Sequence, residues 1–266
     1  MNIVVSKGIS KITWTICRNK SDFKEHLIFW KNGWEFSYNK KISKSYIDRY
    51  YLNPPIDNSI VILGYVNKKV VASSTLIPLI FKCPKSSKTI NYFQYISAYI
   101  VPGFSNGFST YLKMVNLVKD QIIDSKYDFI IGFPNQKAKP LLVRLGRFEM
   151  IDFGFFIEGK INKDIIMKFS SEIERPFFNK DIMLWRVHGQ MIEDNGFVYE
   201  IFKDKKKLLD VSSIQFSKKF YGYMPWWNSW GQPPYNPVDN YKFNLCIYPA
   251  NKNFIFKRSF LLSDVF

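Results

Sequence analysis

The run ITWTICR (12–18) alternates apolar and polar positions with the period of a half-buried strand. Ser21 then stands where a helix N-cap is expected, ahead of DFKEHLIFWKNG with Gly33 as its stop. Ser43 or Ser45 can open a second helix, SYIDRYYL, which the Pro54-Pro55 pair ends. Two β-rich runs, SIVILGYV (59–66) and VVASSTLIPLIF (70–81), flank a polar turn of three residues, Asn67-Lys68-Lys69, and predict a hairpin. A third run, NYFQYISAYIV (91–101), stops at Pro102-Gly103. Between Thr110 and Ser125 the apolar residues Leu112, Val115, Leu117, Val118, Ile122 and Ile123 recur at helical spacing.

The strand FIIGFPN (129–135) breaks off at a Phe-Pro-Asn corner, because Pro134 has no N–H to continue a ladder. It leads into a helix, QKAKPLLVRLG, and a last long strand, FEMIDFGFFIEGK (148–160). The predicted order is β-α-α-β-β-β-α-β-α-β, an α/β (α+β) arrangement with a mixed sheet flanked by helices. Past Lys160 the pattern changes to a connecting helix and loop (162–181), then short strand-like pieces, FVYEIF and NFIFKRSFLL, around YGYMPWWNSWGQPPYNPVDNY. Two domains are expected, 1–160 and a smaller β-rich extension, 161–266, with the boundary softened over 161–175.

Composition narrows the function without choosing it. The chain has 266 residues and no stretch near the ~20 apolar residues of a membrane helix. Its N-terminus lacks the charged and apolar regions of a signal peptide, so a cytoplasmic protein is expected. Three scattered cysteines, Cys17, Cys83 and Cys246, form neither a disulfide framework nor a zinc site. No Walker glycines, dinucleotide-binding glycine pattern, nucleophile elbow or metal-spaced His/Asp/Glu set is present. The net charge of +16 favours anionic partners such as phosphate-bearing small molecules; nucleic acid stays open on charge alone. The lysines are spread along the chain, as on a solvated surface.

Gly103, Ser105, Asn106, Gly107 and Ser109 make a small, donor-rich turn before the Thr110–Ser125 helix. A helix start carries free N–H groups and partial positive charge, and glycine lets an anion approach the backbone, so this turn is a candidate phosphate site. Asn135, after the Phe-Pro corner, can cap the following helix or offer its amide at the strand end.

The element order, with YISAYIVPGFSNGFSTYLKMV and FIIGFPNQKAKPLLVRLG, resembles the GNAT acyltransferase superfamily over roughly residues 10–160. The resemblance implies acetyl-coenzyme A as cofactor. Its pyrophosphate would lie on the backbone of Phe104, Ser105, Asn106, Gly107, Phe108 and Ser109, and its pantetheine arm between two splayed strands, near Ile100, Val101, Asn135 and Lys139. It further implies a backbone N–H near residues 99–101 to polarise the thioester carbonyl. The chain departs from the family pattern in four places. Phe104 stands where Gln or Arg is usual, the loop is one residue short measured from Pro102, Leu142 replaces a tyrosine general acid, and Arg147 interrupts the usual Gly-Phe pair. The candidate bases are Tyr95 and Tyr99, at same-face spacing with Ser97 between them, together with Glu149 and His188.

DIMLWRVHGQ and the terminal SDVF resemble the C-terminal extension of GNAT proteins of surface-polysaccharide pathways, a reduced second GNAT-like half walling the acceptor site. On that reading the acceptor is an amino sugar or nucleotide-sugar, with Trp226, Trp227, Trp230 and Tyr235 as stacking residues. A proline-rich loop pinned to the core by its aromatics is the other reading of those rings. Two alternatives of function also stand: a FemABX-like aminoacyltransferase using charged tRNA, and a non-enzymatic nucleic-acid or glycan-binding module with a degenerate GNAT fold.

Overall fold

The computed structural model describes residues 12–38, 41, 48–54, 56–82, 89–104, 108–161, 165, 191–194, 197–202, 205–211, 220–228 and 231–249. Along the first part run β1 (Thr13–Cys17), α1 (Lys24–Tyr38), β2 (Ile60–Val66), β3 (Lys69–Lys82), β4 (Thr89–Ile100), α2 (Ser109–Asp120), β5 (Phe129–Gly132), α3 (Ala138–Pro140) and β6 (Glu149–Ile161). This is the predicted order, except that the second helix is described only as a π turn over Asp48–Leu52. Then follow β7 (Met191–Asp194), β8 (Phe197–Phe202), β9 (Lys205–Val211), β10 (Phe220–Trp227) and β11 (Pro237–Tyr248).

The eleven described strands join one sheet, ordered β1-β2-β3-β4-β5-β11-β6-β10-β9-β8-β7. β4 and β5 are parallel, as are β9 and β10 at Tyr223↔Lys207; the other neighbours are antiparallel. The boundary expected at 160 falls at the end of β6, yet the sheet continues across it, because β11 returns to lie between β5 and β6.

Two apolar layers cover the sheet. One packs Trp30 of α1 and Tyr51 onto Ile77, Tyr92 and Ile131, and runs on to Met224, Trp226 and Leu245 of the later strands. The other packs Val115 and Val118 of α2 and Leu142 onto Ile62, Leu76, Phe93, Tyr95 and Ile130. Alternating residues of one strand serve opposite layers, as a pleated sheet requires. Pro78 lies inside β3 but past Leu76, the last β3 residue paired with β2, so its missing N–H breaks no ladder on that side.

The β2–β3 hairpin turns through two residues rather than the three expected: Asn67 (φ 48) and Lys68 (φ 63) sit between the paired Val66 and Lys69. Both positive φ angles mark a type I′ turn, where glycine is the favoured second residue. Replacing Lys68 with glycine is expected to raise stability by about 0.5–1 kcal/mol in urea denaturation, by relieving a left-handed lysine. An unchanged or lower midpoint counts against this turn geometry.

Candidate active site

The parallel strands β4 and β5 pair through Tyr92↔Phe129, Phe93↔Ile130, Gln94↔Ile131 and Tyr95↔Gly132, and no further. β4 runs on for five residues, to Ile100, held only by β3. The two strands therefore part at their C-terminal ends, and the parting starts where Gly132 gives way to Phe133-Pro134. This answers the abrupt stop in the sequence: a proline two residues beyond the last pair cannot rejoin the ladder.

Backbone direction on the open edge follows from the register. Val101 N–H donates to Val71 O at 2.9 Å, so 101 and 71 are a hydrogen-bonded pair. Ile100 and Ala72, next along, are then a non-bonded pair, with the Ile100 N–H directed away from β3. Of the three amides considered at 99–101, Ile100 supplies the donor that faces the parting. Val101 is committed to the sheet.

β4 ends in a tight turn. Phe104 N–H donates to Val101 O at 3.1 Å, with Pro102 next and Gly103 at φ +90. Proline followed by a left-handed glycine is the signature of a type II turn. Thr110 Oγ1 donates to Phe104 O at 3.0 Å, tying this turn to the start of α2. The first intrahelical bond of α2 runs from Leu112 N–H to Phe108 O at 2.9 Å, and its first turn holds no acidic residue. The α2 start, positive by its dipole and free of carboxylates, thus lies at the end of the strand that parts from β5. Phe104 and Phe108 are both solvent-exposed beside it. Ser105, Asn106 and Gly107 lie outside the described residues.

At the opposite lip, Asn135 caps the helix that follows. Its Oδ1 accepts from Lys137 N–H at 3.1 Å and Ala138 N–H at 2.9 Å, while its own carbonyl accepts from Lys139 N–H at 2.9 Å. The capping role is therefore present, and the side chain is exposed. Pro140 has no N–H for the helix, which widens into a π turn over Leu141–Leu145. Leu142, at the position of the family's tyrosine, is 2% exposed and carries no proton to give. Gly146 is required by close packing: a Cβ there would lie 2.5 Å from Leu142 O and 3.0 Å from Val115 Cγ1. The left-handed conformation falls instead on Arg147, φ 57.

The two candidate tyrosines do not share a face. Ile96 pairs with Thr75 but Tyr99 pairs with Ser73, so β4 holds one extra residue, a bulge containing Ser97 at φ 55. The bulge reverses the alternation that places i and i+4 together. Tyr95 faces α2, packed with Phe148 (ring centroids 6.4 Å apart) and Leu142. Tyr99 faces α1. Its ring lies over Gly33, where a Cβ would meet it at 2.6 Å, and 5.4 Å from the Phe29 ring. Ser97 hydrogen-bonds the Tyr51 hydroxyl. Burial holds the Tyr95 phenol well above its ordinary pKa, which disfavours its ionisation as a base at neutral pH.

Glu149 opens β6 opposite Ile247 of β11, which in turn faces Ile131 of β5. It is thus two strands from β5, about 10 Å at ordinary strand spacing. His188 and Trp230 lie outside the described residues. Trp226 is 3% exposed in the core, with its indole N–H donated to Gly231 O at 3.0 Å, so its ring is not an open stacking surface. Trp227 pairs with Gly154 at the end of β10. Tyr235 packs its ring on Gly159 and donates its hydroxyl to Lys160 O at 2.5 Å, pinning the β10–β11 connection to β6. The aromatic segment is thus largely two strands and their anchors.

No group of three or more His, Cys, Asp or Glu side chains placed to hold a metal occurs among the described residues, and no described helix is long and apolar enough to cross a membrane. The residue that sequence reasoning missed at this site is Asn244 of β11. It is 1% exposed and its Nδ2 donates to Pro134 O at 3.0 Å. No local pattern in KFNLCIY signals a partner more than a hundred residues away.

No protein-family profile and no curated protein matches the sequence. Solved structures do resemble it. An Enterococcus faecalis V583 protein of unknown function, proposed as an N-acyltransferase, aligns over 88% of this chain and 72% of its own, with TM-score 0.57 and 8% identity. A Pyrococcus horikoshii protein provisionally assigned as an acetyltransferase aligns over 94% of this chain and 93% of its own, with TM-score 0.54 and 7% identity. A GNAT-family acetyltransferase of Staphylococcus aureus Mu50 covers 52% of this chain and 85% of its own, with TM-score 0.37 and 17% identity. With β4 and β5 parting beside the start of α2, and the likeness running through the later strands as well, the chain has the fold of the GNAT acyltransferase superfamily.

Proposed function

We propose that the protein is an acyl-coenzyme A-dependent N-acyltransferase, using acetyl-coenzyme A and a small-molecule amine acceptor. The parting of β4 and β5 beside the α2 start carries this reading. The pyrophosphate would sit on the amides of the α2 start and the turn before it, including Gly107, where backbone donors and the helix dipole favour anions. The pantetheine arm would enter between the strands, between Ile100 and the Asn135 amide. When bound, the coenzyme would supply the acyl thioester: attack by the substrate amine would form the C–N bond, break the C–S bond and release coenzyme A as thiolate. Ile100 N–H is directed toward the parting and would stabilise the oxyanion. Tyr99 adjoins that amide and is the acid–base candidate of this reading. With Leu142 unable to donate, the proton for the departing sulfur would come from water or from a tyrosine elsewhere in the site.

An amino sugar, free or nucleotide-linked, destined for a surface polysaccharide is the acceptor we propose. The net charge of +16 supports it, by attracting both the coenzyme's phosphates and a nucleotide-diphosphate handle. Thermal unfolding with acetyl-coenzyme A tests the core of the proposal. Ligand at a hundred times its Kd adds about 2.7 kcal/mol of stability and raises Tm accordingly. No rise at millimolar ligand overturns the acyltransferase reading.

A further inference from the structure

β11 contributes more than a strand to the sheet. It pairs with β5 at Tyr248↔Ile130, Ile247↔Ile131 and Cys246↔Gly132. One more step in that register sets Leu245 beside Phe133, and a second sets Asn244 beside Pro134. At that second step the ladder has failed, since Pro134 has no N–H to offer. There the Asn244 side chain adds a tie of its own, its Nδ2 donating to the Pro134 carbonyl at 3.0 Å. Asn244 is 1% exposed, on a strand whose other edge is laddered to β6 at Asn244↔Phe153, so its own backbone is fixed.

The direction of this bond matters. β11 lies on the edge of β5 away from β4. Asn244 therefore holds the tip of β5 toward β11 at the point where β5 has stopped pairing with β4. The residue after Pro134 is Asn135, whose oxygens are engaged by the amides of Lys137, Ala138 and Lys139. The corner is thus tied from both sides: by α3 through Asn135, and by β11 through Asn244. Without that donor the Pro134 carbonyl loses its tie to β11, and the tip of β5 is free to move toward the edge of β4 that is unpaired with β5 past Tyr95. Closing on β4 would fill the gap.

We infer that Asn244 is a positioning residue that keeps the gap between β4 and β5 open for the pantetheine arm of the coenzyme, so that the C-terminal part of the chain completes the cofactor site. The inference rests on the proposed use of acyl-coenzyme A and assigns no contact between Asn244 and the ligand. It separates two halves of one ligand: the phosphates lie on the α2 start, which Asn244 does not touch, and the pantetheine lies in the gap, which it governs.

The test compares wild-type protein with Asn244→Ala for binding of coenzyme A and of adenosine 3′,5′-diphosphate, which carries phosphates but no pantetheine, by isothermal titration. The expected result is coenzyme A affinity reduced about tenfold or more and adenosine 3′,5′-diphosphate affinity within about twofold of wild type. Equal loss for both ligands, or none for either, overturns the role of Asn244. If Asn244→Ala yields no folded protein, Asn244→Ser, which keeps a shorter donor, is read in the same way and by the same ratio. Wild-type protein that binds neither ligand overturns the acyltransferase reading itself, an outcome distinct from failure of the variant.

Discussion

Between pH 7 and pH 5 the wild-type protein is expected to lose about 2 kcal/mol more stability than a His26→Leu variant, read as the difference in free energy from urea denaturation. His26 lies on α1, fully buried against β3, with Nε2 2.9 Å from Thr75 Oγ1 and its ring 5.8 Å from that of Tyr51. Its Nδ1 has no hydrogen-bond partner among the described residues. Burial alone, with no carboxylate to offset it, pushes the imidazole pKa down from 6.5 to about 3. The folded protein therefore keeps His26 neutral where the unfolded chain protonates it. The unfolded state binds the extra proton, so stability is complete above pH 6.5 and falls as the pH drops toward 3, by about 4–5 kcal/mol in all. Carboxylates titrate in both proteins and cancel in the comparison. Equal losses in the two would mean that water reaches the imidazole.

Most of the first 160 residues was legible because each element satisfies one period and one boundary rule. The apolar spacing of Val115 and Val118 does meet the sheet in one layer, and Pro134 does end a strand. The sequence misled where one residue changes a count. Ser97 in a left-handed conformation has no sequence signature, unlike a glycine or asparagine, yet it turns Tyr99 to the face opposite Tyr95. The later strands were hidden by prolines. Pro225 read as loop chemistry, but β9 meets β10 only near Tyr223, so the missing N–H of Pro225 costs no ladder bond there. Asn244 was illegible for a different reason: its meaning lies in the register of β11 against β5, which only the folded sheet supplies.

Strands β8 and β9 carry the other large expected effect: Lys207→Met should lower stability by about 3–5 kcal/mol, the cost of removing one member of a buried ion pair. Glu200 of β8 and Lys207 of β9 stand directly opposite in the ladder, with Nζ 3.5 Å from Oε1 and side-chain exposures of 2% and 9%. The ammonium also lies 5.9 Å from the centre of the Phe156 ring, on β6. Removing it takes the ammonium from beside the buried Glu200 carboxylate, on the face of β8 and β9 opposite Tyr199 and Leu208. Replacing both residues, Lys207→Met with Glu200→Leu, removes both charges and should recover most of the loss, because well-packed apolar groups match a buried pair. A double-mutant cycle by urea denaturation reads this as strong positive coupling. The double variant falling as far as the sum of the singles would refute it. The pair would then contribute no more than two independent contacts, and the join of β8 and β9 would rest on the backbone ladder and apolar packing alone.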